Sequence, residues 1–586
     1  MPQLSDTSLQ DTPDADGVPS ELHQLWQRRS ASQTDTDLSV RAAIPQWTRT
    51  IKVMIQADNS RRARLERLTL ALVHGVVIDV DAEPRAVRLD NTVLVAQRLD
   101  LCKERLKHYA DIDALEELSE APPLLQPLHV VVRPGKKDRL VIDLSRNLND
   151  ELQCDSFSLP VFEQAVLASS PCCFYGKMDL SDCFLSFDVH PDSRRFLAFE
   201  LDGKFYRWKR LPFGLKVSPF WCNEFLSVVD FAIKARGVRH LRYCDDYLFL
   251  GDSREDILHA FRVAREVLAS HGLRVNEAKT EGPLQRIVFL GLGLDSVAQE
   301  SFVPQDKRTE CIGLLKRSHK ILSNGECLNR QGVQSLVGKL SFVSAVLPGA
   351  RPFFRHLIAA SAHLPHRRSI VRSSPGLLED LEMWTHILQA WKSGRSNWPR
   401  DEPEIEFFHD ASKAKGVGGF GFFLAQLPPG VQLSLPHEFT HGHGFAGIFP
   451  PEVLAAHSIQ WAELYAMAYC LALYGPYLRD RSVLLRSDNL ADVYIVNNMK
   501  TRKDDLLVLL RAIYSTAAFY NIRLRVKHVR GENNDLADLL SRAEFHLHRT
   551  RVLVAGHPYT SIHYILSSSF LLPVHPQLPA TIRSSC

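Results

Sequence analysis

The chain has 586 residues, 45% hydrophobic and 23% charged, with 70 Lys/Arg against 67 Asp/Glu and a net charge of +3, proportions ordinary for a globular protein of about four domains. No run approaches the roughly 18 apolar residues of a membrane span, and the start MPQLSDTSLQDTPDADG is polar and acidic, which argues against a secretory signal. The eleven cysteines are scattered without a CxxC pair, which excludes a disulfide framework or zinc knuckle and predicts an intracellular protein, cytoplasmic or nuclear, with no membrane partner.

Residues 1–40, rich in Ser, Thr, Asp and Gln and aperiodic, predict a disordered tail. Residues 41–120 predict a helical region of unassigned role, carried by SRRARLERLTLALVHGVV and AQRLDLCKERLKHYADIDALEELSE, and Pro122-Pro123 predicts a boundary. Over 121–300 strand and helix patterns mix. FLAFEL and KFYRW flank Asp202-Gly203, a hairpin signal. SPFWCNEFLSVVDFAIKARG predicts a helix that starts at Ser218-Pro219, buries Phe225, Val228, Val229 and Ala232, and ends at Gly237.

Residues 301–400 predict a basic helical region. Its stretch 305–372 holds twelve Lys/Arg against three acids, either a track for a polyanion or a solvated helix face with a basic bias. The Pro/His/Arg/Ser-rich stretch 364–376 predicts a linker. A second α/β pattern fills 401–545, with strands at IEFFHDAS, GGFGFFLA, SVLLRSDN and RLRVKHV. Its helices are QWAELYAMAYCLALY, DDLLVLLRAIYSTAAFYN and NDLADLLSR. Residues 546–586 read as an uninformative tail.

Two sets of carboxylates carry the chemistry. In LRYCDDYLFLG, Asp245 and Asp246 sit side by side among apolar residues. Because side chains alternate along a strand, both can approach one site only at a turn. Asp179, ending the apolar run CFYGKMD, is a third acid for the same place. The dipeptide alone fits a solvated turn as well; a buried triad instead requires divalent cations, and Mg²⁺ prefers carboxylates and phosphates. In the second set, Asp410 lies in a strand, Glu463 on the following helix, Asp488 at a strand end and Asp538 in the last helix, ten residues after His528. Acids so placed can converge on one sheet edge and hold two cations that cut a phosphodiester.

KMDLSDCF, LPFGLKVSPF, YCDDYLFLG, NEAKT and VFLGLGLD occur in the order of the palm motifs of reverse transcriptases, which the chain resembles over roughly 125–300. The resemblance implies that Asp179, Asp245 and Asp246 bind metal and that Phe184 lies under the incoming sugar. It implies that Phe213 and Gly214 pack on nucleotide and template, that Lys279 reaches the triphosphate, and that Phe289, Leu290 and Gly291 form the primer grip. RLVIDLSRNLND resembles the fingers motif that holds the triphosphate and points to Arg139 and Lys137, although Asp143 to Asn149 is one residue longer than usual. Residues 404–545 resemble ribonuclease H, with Asp410, Glu463, Asp488 and Asp538 as metal ligands and His528 as the mobile histidine. The segment between Asp410 and Glu463 is long, and its His437, His441 and His443 read as a polar loop.

Together the resemblances imply an α/β and α+β multidomain chain, a right-hand polymerase of fingers, palm and thumb followed by a ribonuclease H-like α/β domain. They imply two Mg²⁺ per active site, with Mn²⁺ an alternative, and RNA template, DNA primer, RNA–DNA hybrid and deoxynucleoside triphosphates as partners. LPFGL and LVGKLSFVSAVLPGARPFFRHL are most similar to DIRS-like retrotransposons. Two rivals stand: an RNA-dependent RNA polymerase, which makes no hybrid to degrade, and a domesticated nucleic-acid-binding protein without activity.

Overall fold

The computed structural model describes residues 39–82, 84, 88–132, 138–347, 349–390, 403–413, 418–425, 444–542 and 562–565. The chain divides into two compact units, Met1–Leu290 and Gly291–Cys586. No helix among the described residues is long and apolar enough to cross a membrane. The tail expected over 1–40 lies, but for its last two residues, outside the described residues.

In the first unit, α1 (Ile44–Ala57), α2 (Arg62–His74) and α3 (Leu99–Asp111) precede β1 (Leu115–Leu118). β2 (Leu128–Val131) and β3 (Arg139–Ile142) pair as an antiparallel ribbon. Then come β4 (Phe174–Asp179), β5 (Ala198–Leu201), β6 (Lys204–Trp208) and α4 (Ser218–Lys234). The unit continues with β7 (His240–Tyr243), β8 (Asp246–Gly251), α5 (Arg254–Ser270), β9 (Glu281–Leu284) and β10 (Arg286–Phe289). The central sheet runs β7-β8-β4-β9 and a second runs β1-β6-β5. At the β5–β6 turn Asp202 and Gly203 both take positive φ, 56° and 74°, as a two-residue hairpin turn of this hand requires. α4 buries Phe225, Val228, Val229 and Ala232.

Residues 41–120 are not a separate body. Trp47, Ile51 and Met54 recur at helical spacing along α1 and share one core with Phe225 and Val229 of α4. Trp47 Nε1 donates to the His271 carbonyl at 2.9 Å. β1, upstream of Pro122-Pro123, pairs antiparallel with β6, so the prolines mark a local change of direction and not a boundary between cores.

In the second unit, β11 (Leu292–Asp295) and β12 (Glu300–Phe302) form an antiparallel pair. They lead to α6 (Gln305–Ser323), β13 (Leu328–Asn329), α7 (Arg330–Val343), α8 (Arg355–Ala362), β14 (Ile370–Val371) and α9 (Pro375–Ala390). α6 turns Cys311, Leu315 and Leu322 inward and leaves Lys316, Arg317 and Lys320 exposed on its other face. The linker expected at 364–376 is instead tied down: β14 pairs with β13, Gln331 N donates to the Arg367 carbonyl, and Arg330 N to that of Ser369. Its composition suggested a linker because Pro, His and Arg seldom fill a core, but backbone pairing is indifferent to composition.

The rest of the unit is β15 (Ile405–Ala411), β16 (Gly419–Leu424), β17 (Gly444–Ile448), α10 (Ile459–Tyr474), β18 (Ser482–Ser487) and α11 (Leu490–Asn498). α12 (Asp504–Phe519), β19 (Arg523–His528), α13 (Asp535–Ser541) and β20 (Ile562–Ile565) follow. The sheet order is β19-β18-β15-β16-β17-β20. β15 pairs parallel with β18 and antiparallel with β16. β20 comes from the stretch read as a tail and adds a parallel edge strand beside β17.

Arg511 of α12 fastens this sheet domain to the helices before it. Its guanidinium meets Asp380 of α9, reaches Glu379 at 3.0 Å, and donates from Nε to the Pro352 carbonyl at 3.3 Å. Asp380 is fully buried and also accepts from the amides of His356 and Leu357, at 2.8 and 3.1 Å. Removing one partner leaves a buried charge uncompensated. Asp380→Ala is therefore expected to destabilise the unit by about 3–5 kcal/mol, read as a fall in its urea midpoint. A midpoint equal to the parent's shows that the network contributes nothing.

Candidate active sites

Strand pairing brings the first carboxylates together. β4 and β8 lie side by side with Asp179 opposite Asp246. Tyr243 and Asp246 close the β7–β8 hairpin, leaving Cys244 and Asp245 as its two-residue turn, with Cys244 at φ 52°. Leu180 N donates to the Asp245 carbonyl at 3.1 Å and fixes the turn against the end of β4. Beneath it, buried Arg242 donates to the Cys244 carbonyl at 3.0 Å and pairs with Asp230 at 2.8 Å. Arg242 was not singled out from the sequence.

The acids repel one another. Burial, then the charges of Asp245 and Asp179, push Asp246 up to about 6. Burial, and then Asp179, also raises Asp245. Lys279 Nζ reaches Asp179 Oδ1 at 2.8 Å and Asn276 Nδ2 the same oxygen at 3.3 Å. Three carboxylates gathered at one strand end, with one lysine among them, suit a divalent cation such as Mg²⁺ or Mn²⁺.

Around this triad, the Phe184 and Phe213 rings pack at 5.3 Å between centroids, and the Arg139 guanidinium lies 5.6 Å over Phe213. Ile142 N of β3 donates to the Phe213 carbonyl at 3.2 Å. Gly214 has φ 109°, and a Cβ there would stand 2.0 Å from the Ile142 carbonyl oxygen, so only glycine lets β3 approach the turn. Lys137 lies outside the described residues. His108 of α3 pairs with Asp182 at 2.9 Å, a contribution from the upstream region that sequence reasoning missed. Phe289 is buried at 1% exposure. Leu290 and Gly291, at φ 48° and 77°, form a turn after it.

In the second unit, Asp410 near the end of β15, Glu463 on α10 and Asp488 just past β18 bring ligand oxygens within 4.8 Å of one another. Asp538, in the first turn of α13, is not of that group. It pairs with Arg542 at 2.7 Å, yet its charge raises Asp410 and Asp488. Gly421 stands opposite Asp410 in the sheet. A Cβ on it would lie 2.4 Å from Leu540 Cβ, so its bare backbone admits α13 close to the strand. Ser541 Oγ, missed in the sequence, then donates to Asp410 Oδ2 at 2.7 Å.

Burial pushes Asp410 up to about 7 and Glu463 to about 10, the neighbouring carboxylates adding to both. Glu463 Oε2 has no hydrogen-bond partner. His409 Nδ1 is 3.7 Å from it, but burial pushes that imidazole down to about 3, so it is neutral. A buried carboxylate oxygen without a donor, in an all-oxygen set, fits a hard divalent cation. His528 meets the Asp488 carbonyl through Nε2 at 3.2 Å. His437, His441 and His443 lie outside the described residues.

Residues 133–294 match the family model described as reverse transcriptase (RNA-dependent DNA polymerase). The chain is 23% identical over 441 residues to the putative enzymatic polyprotein of Cassava vein mosaic virus, covering 72% of this chain and 60% of that protein. It is 23% identical over 414 residues to the retrovirus-related Pol polyprotein from transposon 412 of Drosophila melanogaster, covering 70% of this chain and 30% of that one. The chain thus spans less than two thirds of either relative. Among solved structures, the foamy viral protease-reverse transcriptase in complex with dsDNA aligns with a TM-score of 0.45 at 15% identity, covering 85% of this chain and 99% of that one.

Proposed function

We propose that this chain, whose residues 133–294 carry a reverse transcriptase domain, copies RNA into DNA at Asp179, Asp245 and Asp246 and removes the RNA strand of the product hybrid at Asp410, Glu463, Asp488 and Asp538. The observation that carries the reading is the pairing of Asp179 with Asp246 at the strand ends, with Asp245 in the adjoining turn. When bound, divalent cations neutralise these acids and polarise the hydroxyl or water that attacks phosphorus. The chain's own groups position the rest: Phe184 under the sugar, Arg139 and Lys279 toward the triphosphate, Phe213 and Gly214 against nucleotide and template. His528 and Ser541 hold the backbone and side chain of two hydrolytic acids in place. The exposed cations of α6 suit a phosphate backbone. LPFGL and the stretch after the palm support a DIRS-like element as the source. Primer extension on an RNA template, and cleavage of an RNA–DNA hybrid, each with and without Mg²⁺, test the two halves; a chain inert in both is the domesticated binder.

Sugar selection provides a sharper test. Phe184 is half-buried and braced by Phe213, so its ring cannot retreat from a 2′-hydroxyl, nor does it offer that hydroxyl a hydrogen bond. Phe184→Val is expected to raise kcat/KM for UTP relative to dTTP by about tenfold or more, the range set by small steric differences in a pocket. A variant that extends well with dTTP at the parental ratio removes Phe184 as the gate.

A further inference from the structure

Arg242 of β7 is buried, and each of its guanidinium nitrogens is bound. Nε donates to Asp230 Oδ2 at 2.8 Å and Nη1 to the Cys244 carbonyl at 3.0 Å. Nη2 donates to Asn223 Oδ1 at 3.1 Å and to the Asn223 carbonyl at 3.3 Å. His240 Nε2 stands 3.3 Å from the other oxygen of Asp230. The charge is paired and the planar fork is fully used, an arrangement that a lysine cannot reproduce.

Two of these partners share one carrier. Asn223 and Asp230 lie two turns apart on α4, and so on one face. α4 is rooted on the turn that carries Phe213 and Gly214: Ser218 Oγ donates to the Pro212 carbonyl at 3.0 Å and Ser218 N to the Leu215 carbonyl at 3.1 Å. The third partner, the Cys244 carbonyl, belongs to the residue before Asp245. Cys244 holds φ at 52°, a conformation that persists only where its surroundings impose it. One guanidinium therefore ties the turn of Asp245 to the helix that continues from the turn of Phe213 and Gly214.

We propose that Arg242 is a positioning residue for nucleotidyl transfer, setting the register of Asp245 against the Phe213–Gly214 turn by fixing the Cys244 carbonyl to α4. The proposal rests on the polymerase reading of the first site. Arg242 adds no group to the chemistry and acts only through the turn.

The test is Arg242→Lys in the full chain, which keeps a cation for Asp230 but offers one nitrogen where the guanidinium offers a fork. Its kcat for primer extension on RNA is expected to fall about a hundredfold, the scale of a misplacement of about 1 Å. KM for dTTP, and hybrid cleavage by the same chain, stay within about twofold. In the metal-free chain the Leu180 amide, which donates to the Asp245 carbonyl at 3.1 Å, exchanges about tenfold faster through local opening of the turn, while the amides inside β4 keep their protection. Asn223→Ala leaves the charges paired and moves both readouts the same way by less. A parental kcat in folded Arg242→Lys overturns the proposal. So does a lowered kcat with parental Leu180 exchange, since the effect then bypasses the turn. A lowered melting midpoint with both readouts parental marks a purely structural ion pair. Where Arg242→Lys does not fold, parental values of both readouts in Asn223→Ala overturn it. If Asp245→Asn extends primers like the parent, the polymerase reading fails and this proposal with it.

Discussion

Asp245→Asn is expected to lower primer extension on RNA about a thousandfold or more in kcat/KM while leaving hybrid cleavage by the same chain within about twofold; removing a metal ligand forfeits several kcal/mol of transition-state stabilisation, and each 1.36 kcal/mol is tenfold. The change is confined to charge. The turn is held by backbone contacts, Leu180 N to the Asp245 carbonyl and Arg242 to the Cys244 carbonyl, and Asn leaves both intact. Asp245 also sits among like charges, its proton affinity raised by burial and then by Asp179. Asn relieves that repulsion, so the melting midpoint does not fall. Loss of extension with an unchanged or raised midpoint therefore reports chemistry. Extension at the parental rate removes Asp245 from the site, and equal loss of both activities in a folded chain argues against two separate centres.

The converse substitution, Asp488→Asn, is expected to abolish hybrid cleavage by a similar factor, about a thousandfold, and to spare primer extension. Asp488 supplies one of the three ligand oxygens gathered within 4.8 Å. The contact with His528 uses its backbone carbonyl and survives the change. Burial and the charge of Asp538 raise Asp488, so its neutral replacement again removes repulsion rather than packing. Gel analysis of a labelled hybrid reads the result directly. Cleavage at the parental rate excludes Asp488 from the centre.

What the sequence disclosed and what it hid differ by physical cause. Period-two and helical patterns located the strands that end on Asp179 and Ser487 and the helices that carry Glu463 and Asp538, because those signals are local. The Asp202-Gly203 turn was equally local, since its two positive φ values restrict the residues that fit. Ser541 and His409 were invisible: each stands against a residue far along the chain, Ser541 against Asp410, 131 residues away, and His409 beside Glu463. The spacing of Asp410, Glu463, Asp488 and Asp538 suggested one group, but it could not show that Asp538 pairs with Arg542 outside the three whose ligand oxygens gather within 4.8 Å. Phe289 carried a motif match that said nothing of which way its ring points. Composition misjudged 364–376 because backbone pairing leaves no mark on it.

The bond from Trp47 to the His271 carbonyl spans 224 residues, and its consequence lies in time. A ribosome adding about 5–20 residues per second takes roughly 10–45 s to cover that span. Throughout that interval the apolar stripe of α1, Trp47, Ile51 and Met54, has left the ribosome before α4 and the end of α5, against which it will be buried, have been made. Its closure must also await a long loop, and folding slows as the separation of the contacts grows. Within the first unit α1 is thus among the last helices to be secured, although it is made before the elements that bury it.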